Sequence, residues 1–137
     1  MSLLVLDCSV TMAWLFREEL TPFIERIMDE VTAGRAVVPA LWPLEVGNVL
    51  LLAERRGRVS EADGARFLSL LGGLSIEVDS LRGLDWLHDV VPLARETGLT
   101  VYDASYLELA ARFGVPVATL DKRMAAAAAQ VGVALCE

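Results

Sequence analysis

The stretch LTVYDASYLELAARFGVPVATLDKRM, residues 99–124, decides how the chain is read. Tyr102 to Phe113 read as a helix with Gly114 just past its end, the usual stop signal. Pro116 to Leu120 then read as a strand with Asp121 at its exit, and Lys122 to Val131 as a helix rich in alanine, the strongest helix former. Two acids punctuate this helix, strand and helix: Asp103 in the first helical turn and Asp121 where the strand stops, 18 residues later.

The same alternation continues outward in both directions. Val133 to Leu135 predict a further strand after the alanine-rich helix. At the other end, Leu3 to Leu6 form an apolar run without polar alternation, which suits a strand buried on both faces and ended by Asp7. Ser9 is expected to cap a short helix carrying Met12, Trp14, Leu15 and Phe16, and Thr21 followed by Pro22 opens a second that runs to Ala33 and stops at Gly34. Ala36 to Val38 predict a brief strand closed by Pro39, and Ala40 to Arg56 a long apolar helix ending at Gly57. Ser60 with Asp63 resembles a capping box, starting a helix antiparallel to its predecessor that ends at Gly72 and Gly73. Leu74 to Val78 make a strand ended by Asp79. A helix from about Arg82 to Thr97 follows, with Pro92 expected to kink it and Gly98 as its stop.

Strands alternating with helices imply parallel strands joined by right-handed crossovers, with helices on both faces of the sheet. The expected fold class is therefore α/β, in one domain spanning 1–137, since 137 residues and 14.9 kDa suffice for one core and not for two. No internal repeat or linker interrupts it.

Hydrophobic residues make up 55% of the chain and mean hydropathy is +0.49, more apolar surface than a compact monomer of this size hides, so some of it is expected in an interface. No run approaches the roughly 20 uninterrupted residues of a membrane span, and Asp7 breaks the opening apolar stretch too early for a secretory signal. A cytoplasmic protein without membrane contact is expected. Cys8 and Cys136 do not make a disulfide framework and neither has a partner at zinc-ligand spacing. The net charge of −7 argues against gripping nucleic acid by a general basic field. Any such contact must be local, or must use bound divalent cations to reverse the sign of an acidic pocket. Arg55, Arg56 and Arg58 either complement a helix dipole or make such a local contact, and the sequence does not separate the two.

The most informative residues are acids among apolar neighbours. Asp7 and Asp121 each end a buried strand, on the sheet edge where open α/β folds bind ligands. Both also precede helices, so N-capping and ligand binding are open for each. Glu45 shares a helix face with Leu41, Val49 and Leu52 and is expected to point inward, with no Lys or Arg within one turn. It is either a neutral or cross-fold-paired Glu or a participant in metal binding. Asn48, three residues on, is placed to orient it. Asp103 alone is ordinary for a first helical turn. Together the four make an oxygen donor set without histidine, suited to Mg²⁺ or Mn²⁺.

Other polar and aromatic residues read as structural. His88 stands alone, and Trp14, Trp42 and Trp86 are assigned to core or interface rather than base stacking. Glu18, Glu19, Asp63, Asp85, Asp89 and Glu108 read as solvated faces or helix starts.

Three stretches, VLDCSV (5–10), PALWPLEVGNVL (39–50) and the opening 99–124 segment, resemble the PIN-domain ribonucleases, and particularly the VapC toxins of toxin–antitoxin pairs. The resemblance spans the whole chain. It implies a three-layer α/β/α domain with a central five-stranded parallel sheet whose first and fourth strands are adjacent. It also implies a site of Asp7, Glu45, Asp103 and Asp121, with Ser9 and Thr119 as its small hydroxyl residues, and no role for Cys8 or Asp79. By that resemblance Asp7 and Asp121 hold the principal ion and Asp103 the same ion or a second. Glu45 orients or deprotonates water, while Ser9 and Thr119 hydrogen-bond a ligand carboxylate or the substrate phosphate. The activity implied is endonucleolytic RNA cleavage by in-line attack of a metal-activated water, leaving a 5′-phosphate and a 3′-hydroxyl. The partners implied are a VapB-type antitoxin whose tail covers a groove between the early helices, and further copies of the chain in a homodimer or dimer of dimers.

Two rivals remain beside this reading. A phosphatase of the haloacid-dehalogenase type, with Asp7 as nucleophile, wants a second Asp two residues on, where Ser9 stands. A non-catalytic PIN-like module binding RNA or protein would be marked by loss of an acid, and all four are present.

Overall fold

The computed structural model describes residues 2–80 and 83–137. Four strands, β1 (Leu3–Leu6), β2 (Arg35–Val38), β3 (Ile76–Val78) and β4 (Val117–Ala118), form one parallel sheet in the order β3-β2-β1-β4. The register pairs Leu4 with Ala36 and Leu6 with Ala118, so the first and last strands lie side by side although more than a hundred residues separate them. Both central strands are buried at every position after their first, inward and outward side chains alike. Such strands need helices over both faces, which is why they read as unbroken apolar runs.

The expected fifth strand is reduced to a single parallel bridge between Val117 and Leu135. The reason lies in β4. Pro116 before it has no N–H to offer, and Thr119 after it turns away to bond Asp7, leaving the last segment little to pair with.

Seven α-helices connect and follow the strands: α1 (Cys8–Ala13), α2 (Pro22–Ala33), α3 (Trp42–Arg55), α4 (Glu61–Gly72), α5 (Leu87–Thr97), α6 (Val101–Phe113) and α7 (Lys122–Val131), as counted among the described residues. Their start signals are those of the sequence at α2, where the Thr21 hydroxyl accepts from the Ile24 N–H, and at α4, where Ser60 and Asp63 form the reciprocal capping box. The expected start of the fifth helix near Arg82 lies outside the described residues, and Leu84–Trp86 form a 3-10 turn leading into α5.

Three local expectations are corrected. Ser9 does not cap α1: Asp7 occupies that position, and the helix stops before Trp14, Leu15 and Phe16. The buried stripe of α3 is Trp42, Val46, Leu50 and Ala53, one position round from the face assigned to Glu45, which leaves Glu45 half-buried at its edge. Glu108 is buried rather than solvated, because Arg112 one turn later bonds it and Asp79 together at 2.9 Å. Asp79 thus ties the end of β3 to α6.

Candidate active site

Asp7 is the centre of the site, and it is 6% exposed. Its position follows from β1: the strand carries it to the sheet edge, and its N–H completes the ladder by donating to the Ala118 carbonyl at 3.0 Å. Its side chain makes no capping bond to α1. The Oδ2 atom instead accepts from the Ser9 hydroxyl at 2.6 Å and the Thr119 hydroxyl at 2.7 Å.

Each of those hydroxyls is itself pinned by main chain. Ser9 Oγ accepts from the Leu120 N–H at 2.9 Å, and Thr119 Oγ1 accepts from the Asp121 N–H at 3.0 Å. A hydroxyl has one proton, so a hydroxyl that accepts from an amide is left to donate, and both donate to the same oxygen. This also explains why Ser9 fails as a cap: its oxygen is claimed from across the fold.

Asp121 does cap a helix. Its Oδ1 accepts from the Arg123 N–H at 2.9 Å and the Met124 N–H at 3.4 Å at the start of α7. Of the two acids, Asp121 caps a helix with its side chain and Asp7 does not, and the Asp121 cap uses Oδ1 alone, leaving Oδ2 uncommitted among the described residues.

Asp103 stands in the first turn of α6, whose N-cap Thr100 accepts from the Asp103 N–H at 3.1 Å. Glu45 reaches the site from α3, where its Oε1 accepts the hydroxyl of Tyr106. Tyr106 was not among the expected site residues. Asn48 lies exposed on α3, and the hydrogen bond expected from it to Glu45 comes from Tyr106 instead.

Charge links the carboxylates that hydrogen bonds do not. Burial raises the Asp7 carboxyl above its ordinary value; the Ser9 and Thr119 hydroxyls pull it back, and the Asp121 charge raises it further. Burial also raises Glu45, opposed by Tyr106 and reinforced by Asp7 and Asp103. Asp103 is raised by burial, then by Asp121 and Asp7, with Arg123 acting against them. Burial, Glu45 and Asp7 push the Cys8 thiol up to about 12, so it stays protonated at neutral pH.

Asp7, Glu45, Asp103 and Asp121 thus share one electrostatic neighbourhood. Among the described residues, no three His, Cys, Asp or Glu side chains converge as oriented into a set that could hold a metal ion. Part of the reason is visible, since Asp121 commits an oxygen to α7 and Asp7 commits one to two hydroxyls. The donor chemistry fits a hard divalent ion: carboxylate and hydroxyl oxygens, no imidazole, and acids whose mutual repulsion a cation would relieve.

The family profile described as PIN domain matches residues 4–130, nearly the whole chain. The chain belongs to the PIN-domain family. This PIN domain is 31% identical over 122 residues to Ribonuclease VapC3 of Pyrobaculum aerophilum, covering 89% of its own length and 92% of that relative. It superimposes on the crystal structure of PAE2754 from Pyrobaculum aerophilum with a TM-score of 0.68 at 26% identity, over 93% of this chain and 79% of that one. FitAcB from Neisseria gonorrhoeae shares the fold, with a TM-score of 0.65 at 19% identity over 98% and 96% of the two chains.

Outside the site, several of the side chains of this PIN domain have contacts of their own. His88 is exposed, the Trp42 indole donates to Thr11 inside the core, and Arg58 is bound to Glu18 and Glu19 while stacking 3.5 Å from the Phe16 ring. No described helix is long and apolar enough to cross a membrane.

Proposed function

We propose that this PIN domain is a divalent-metal-dependent endoribonuclease and the toxin of a VapBC-type pair. One observation carries the reading: Asp7 is buried in a carboxylate neighbourhood, and no Lys or Arg pairs with it among the described residues. A purely structural buried acid would be expected to have a cation or a full set of donors. Here the arrangement raises the proton affinity of three acids, which suits a centre awaiting positive charge.

Asp7, Asp103 and Asp121 would hold the ion. When bound, it would neutralise the phosphate, make water a better nucleophile and stabilise the leaving oxygen. The chain's own residues do the rest. Ser9 and Thr119 hold Asp7 in one orientation, and Glu45, with its raised proton affinity, accepts the proton of the attacking water. The relationship to Ribonuclease VapC3 supports RNA as the substrate.

The test is cleavage of total RNA by purified protein with Mg²⁺ or Mn²⁺, with and without EDTA. Cleavage that EDTA abolishes, leaving 5′-phosphate ends, is the expected result. Asp103→Asn should remove the activity by about 10²-fold or more while leaving the fold intact. A chelator-insensitive or fully active Asp103→Asn protein rejects the assignment, and absence of cleavage favours a non-catalytic binding module.

The antitoxin partner is supported by an open groove of about 480 Å³ between the early helices, where apolar residues such as Phe16, Phe67 and Leu70 alternate with charged ones such as Arg17, Asp63 and Arg66. Co-expression with a VapB-type antitoxin should yield a complex that Leu70→Glu weakens. The assembly proposed with it is a homodimer or dimer of dimers, supported by exposed Leu44, Leu84 and Leu87, and light scattering measures it.

A further inference from the structure

Tyr106 is fully buried, yet its hydroxyl does not end on a backbone carbonyl or in solvent. It crosses from α6 to α3, 61 residues away in sequence, and donates to Glu45. A buried phenol needs one acceptor, and phenylalanine would fill the same apolar space without one. The groups facing Glu45 are the Asp7 carboxylate from β1, the Cys8 thiol from α1, and Asp103 with Tyr106 from α6. Of these, Tyr106 alone is a neutral donor bonded to it, and its ring is held rigidly by the core.

A second contact fixes the helix that carries Glu45. The Trp42 indole N–H donates to Thr11 Oγ1 at 3.1 Å, and the Thr11 hydroxyl donates to the Asp7 carbonyl at 3.2 Å. The backbone of α3 is thereby anchored to the strand end that bears Asp7. The Glu45 side chain, half-exposed and with several rotatable bonds, still has freedom that this anchor does not remove.

We propose that Tyr106 is the positioning residue for Glu45: its hydroxyl holds one carboxylate oxygen so that the other is aimed at the reacting water. This rests on the ribonuclease reading and assigns to Glu45 a supporting group outside the four acids. Because Tyr106 acts through Glu45 and not on the ion's ligands, it affects the chemical step and leaves metal binding alone.

The test compares wild type, Y106F, E45Q and the double variant Y106F/E45Q as full chains. Y106F should stay folded, lose about 10- to 100-fold in kcat with KM changed less than about twofold, and bind Mn²⁺, followed by electron paramagnetic resonance, within about threefold of wild type. The double variant should be no slower than E45Q, since a residue that works through Glu45 has nothing left to position. An unchanged kcat in Y106F, multiplying losses in the double variant, or a matching fall in Mn²⁺ affinity overturns the proposal. So does an unfolded Y106F, because the hydroxyl would then be a requirement of the core. Wild type that cuts no RNA refutes the ribonuclease reading itself, whereas active wild type beside an equally active Y106F refutes only the role of Tyr106.

Discussion

At the scale of single residues, Ser9 and Thr119 look equivalent, since each donates to Asp7 Oδ2 and accepts one amide. Their environments separate them. Leu120, whose N–H bonds Ser9, is exposed and can turn to water, so Ser9→Ala should cost less than about 1 kcal/mol in urea denaturation. Thr119 links Asp7 to Asp121 itself, and Thr119→Val should cost about 1–3 kcal/mol, measured in the same way. The acids of the site were legible in the sequence because a charge that ends an apolar run is out of place unless something uses it. Tyr106 was hidden, because an aromatic residue on an apolar helix reads as core, which its ring is. Ser9 misled for a different reason. Its capping signal is local, whereas the amide that takes its oxygen lies 111 residues away.

Among the elements, α6 is the one whose periodicity fails. Seven consecutive residues, Ala104 to Ala110, are buried, so the helix has no solvated side along that stretch on which to place Glu108. The pairing of Glu108 with Arg112 at i and i+4 is readable from spacing, but its burial is not, because nothing local reveals that α5 and β1 cover the helix. Arg112 clamps α6 to Asp79 at the end of β3, with both side chains about four-fifths buried. Arg112→Ala should therefore destabilise by about 2–4 kcal/mol in urea denaturation, as it strands two acids away from water. Helix boundaries were read well wherever a cap signal is chemical, as at Thr21 and Ser60, and less well where a strand must share its edge, as at Leu135.

For the molecule as a whole, three acids with raised proton affinity make stability depend on pH. Between the ordinary carboxylate range and the raised values, the folded state keeps protons that the unfolded state has released, so stability falls as pH rises through that window. Without metal, the melting temperature should fall as pH rises from the ordinary carboxylate range towards neutrality, and Asp7→Asn should lessen the fall. Mn²⁺ should raise it more at neutral than at acid pH, because protons and cation compete for the same oxygens. Calorimetry with and without EDTA measures both, and a profile flat with pH and indifferent to Mn²⁺ contradicts the linkage. The pairing of β1 with β4 also bears on how the chain is made. Asp7 is synthesised 112 residues before Thr119, which with Leu120 and Asp121 completes its surroundings. A nascent chain thus carries an unfinished centre until its fourth strand has been made and docked beside the first.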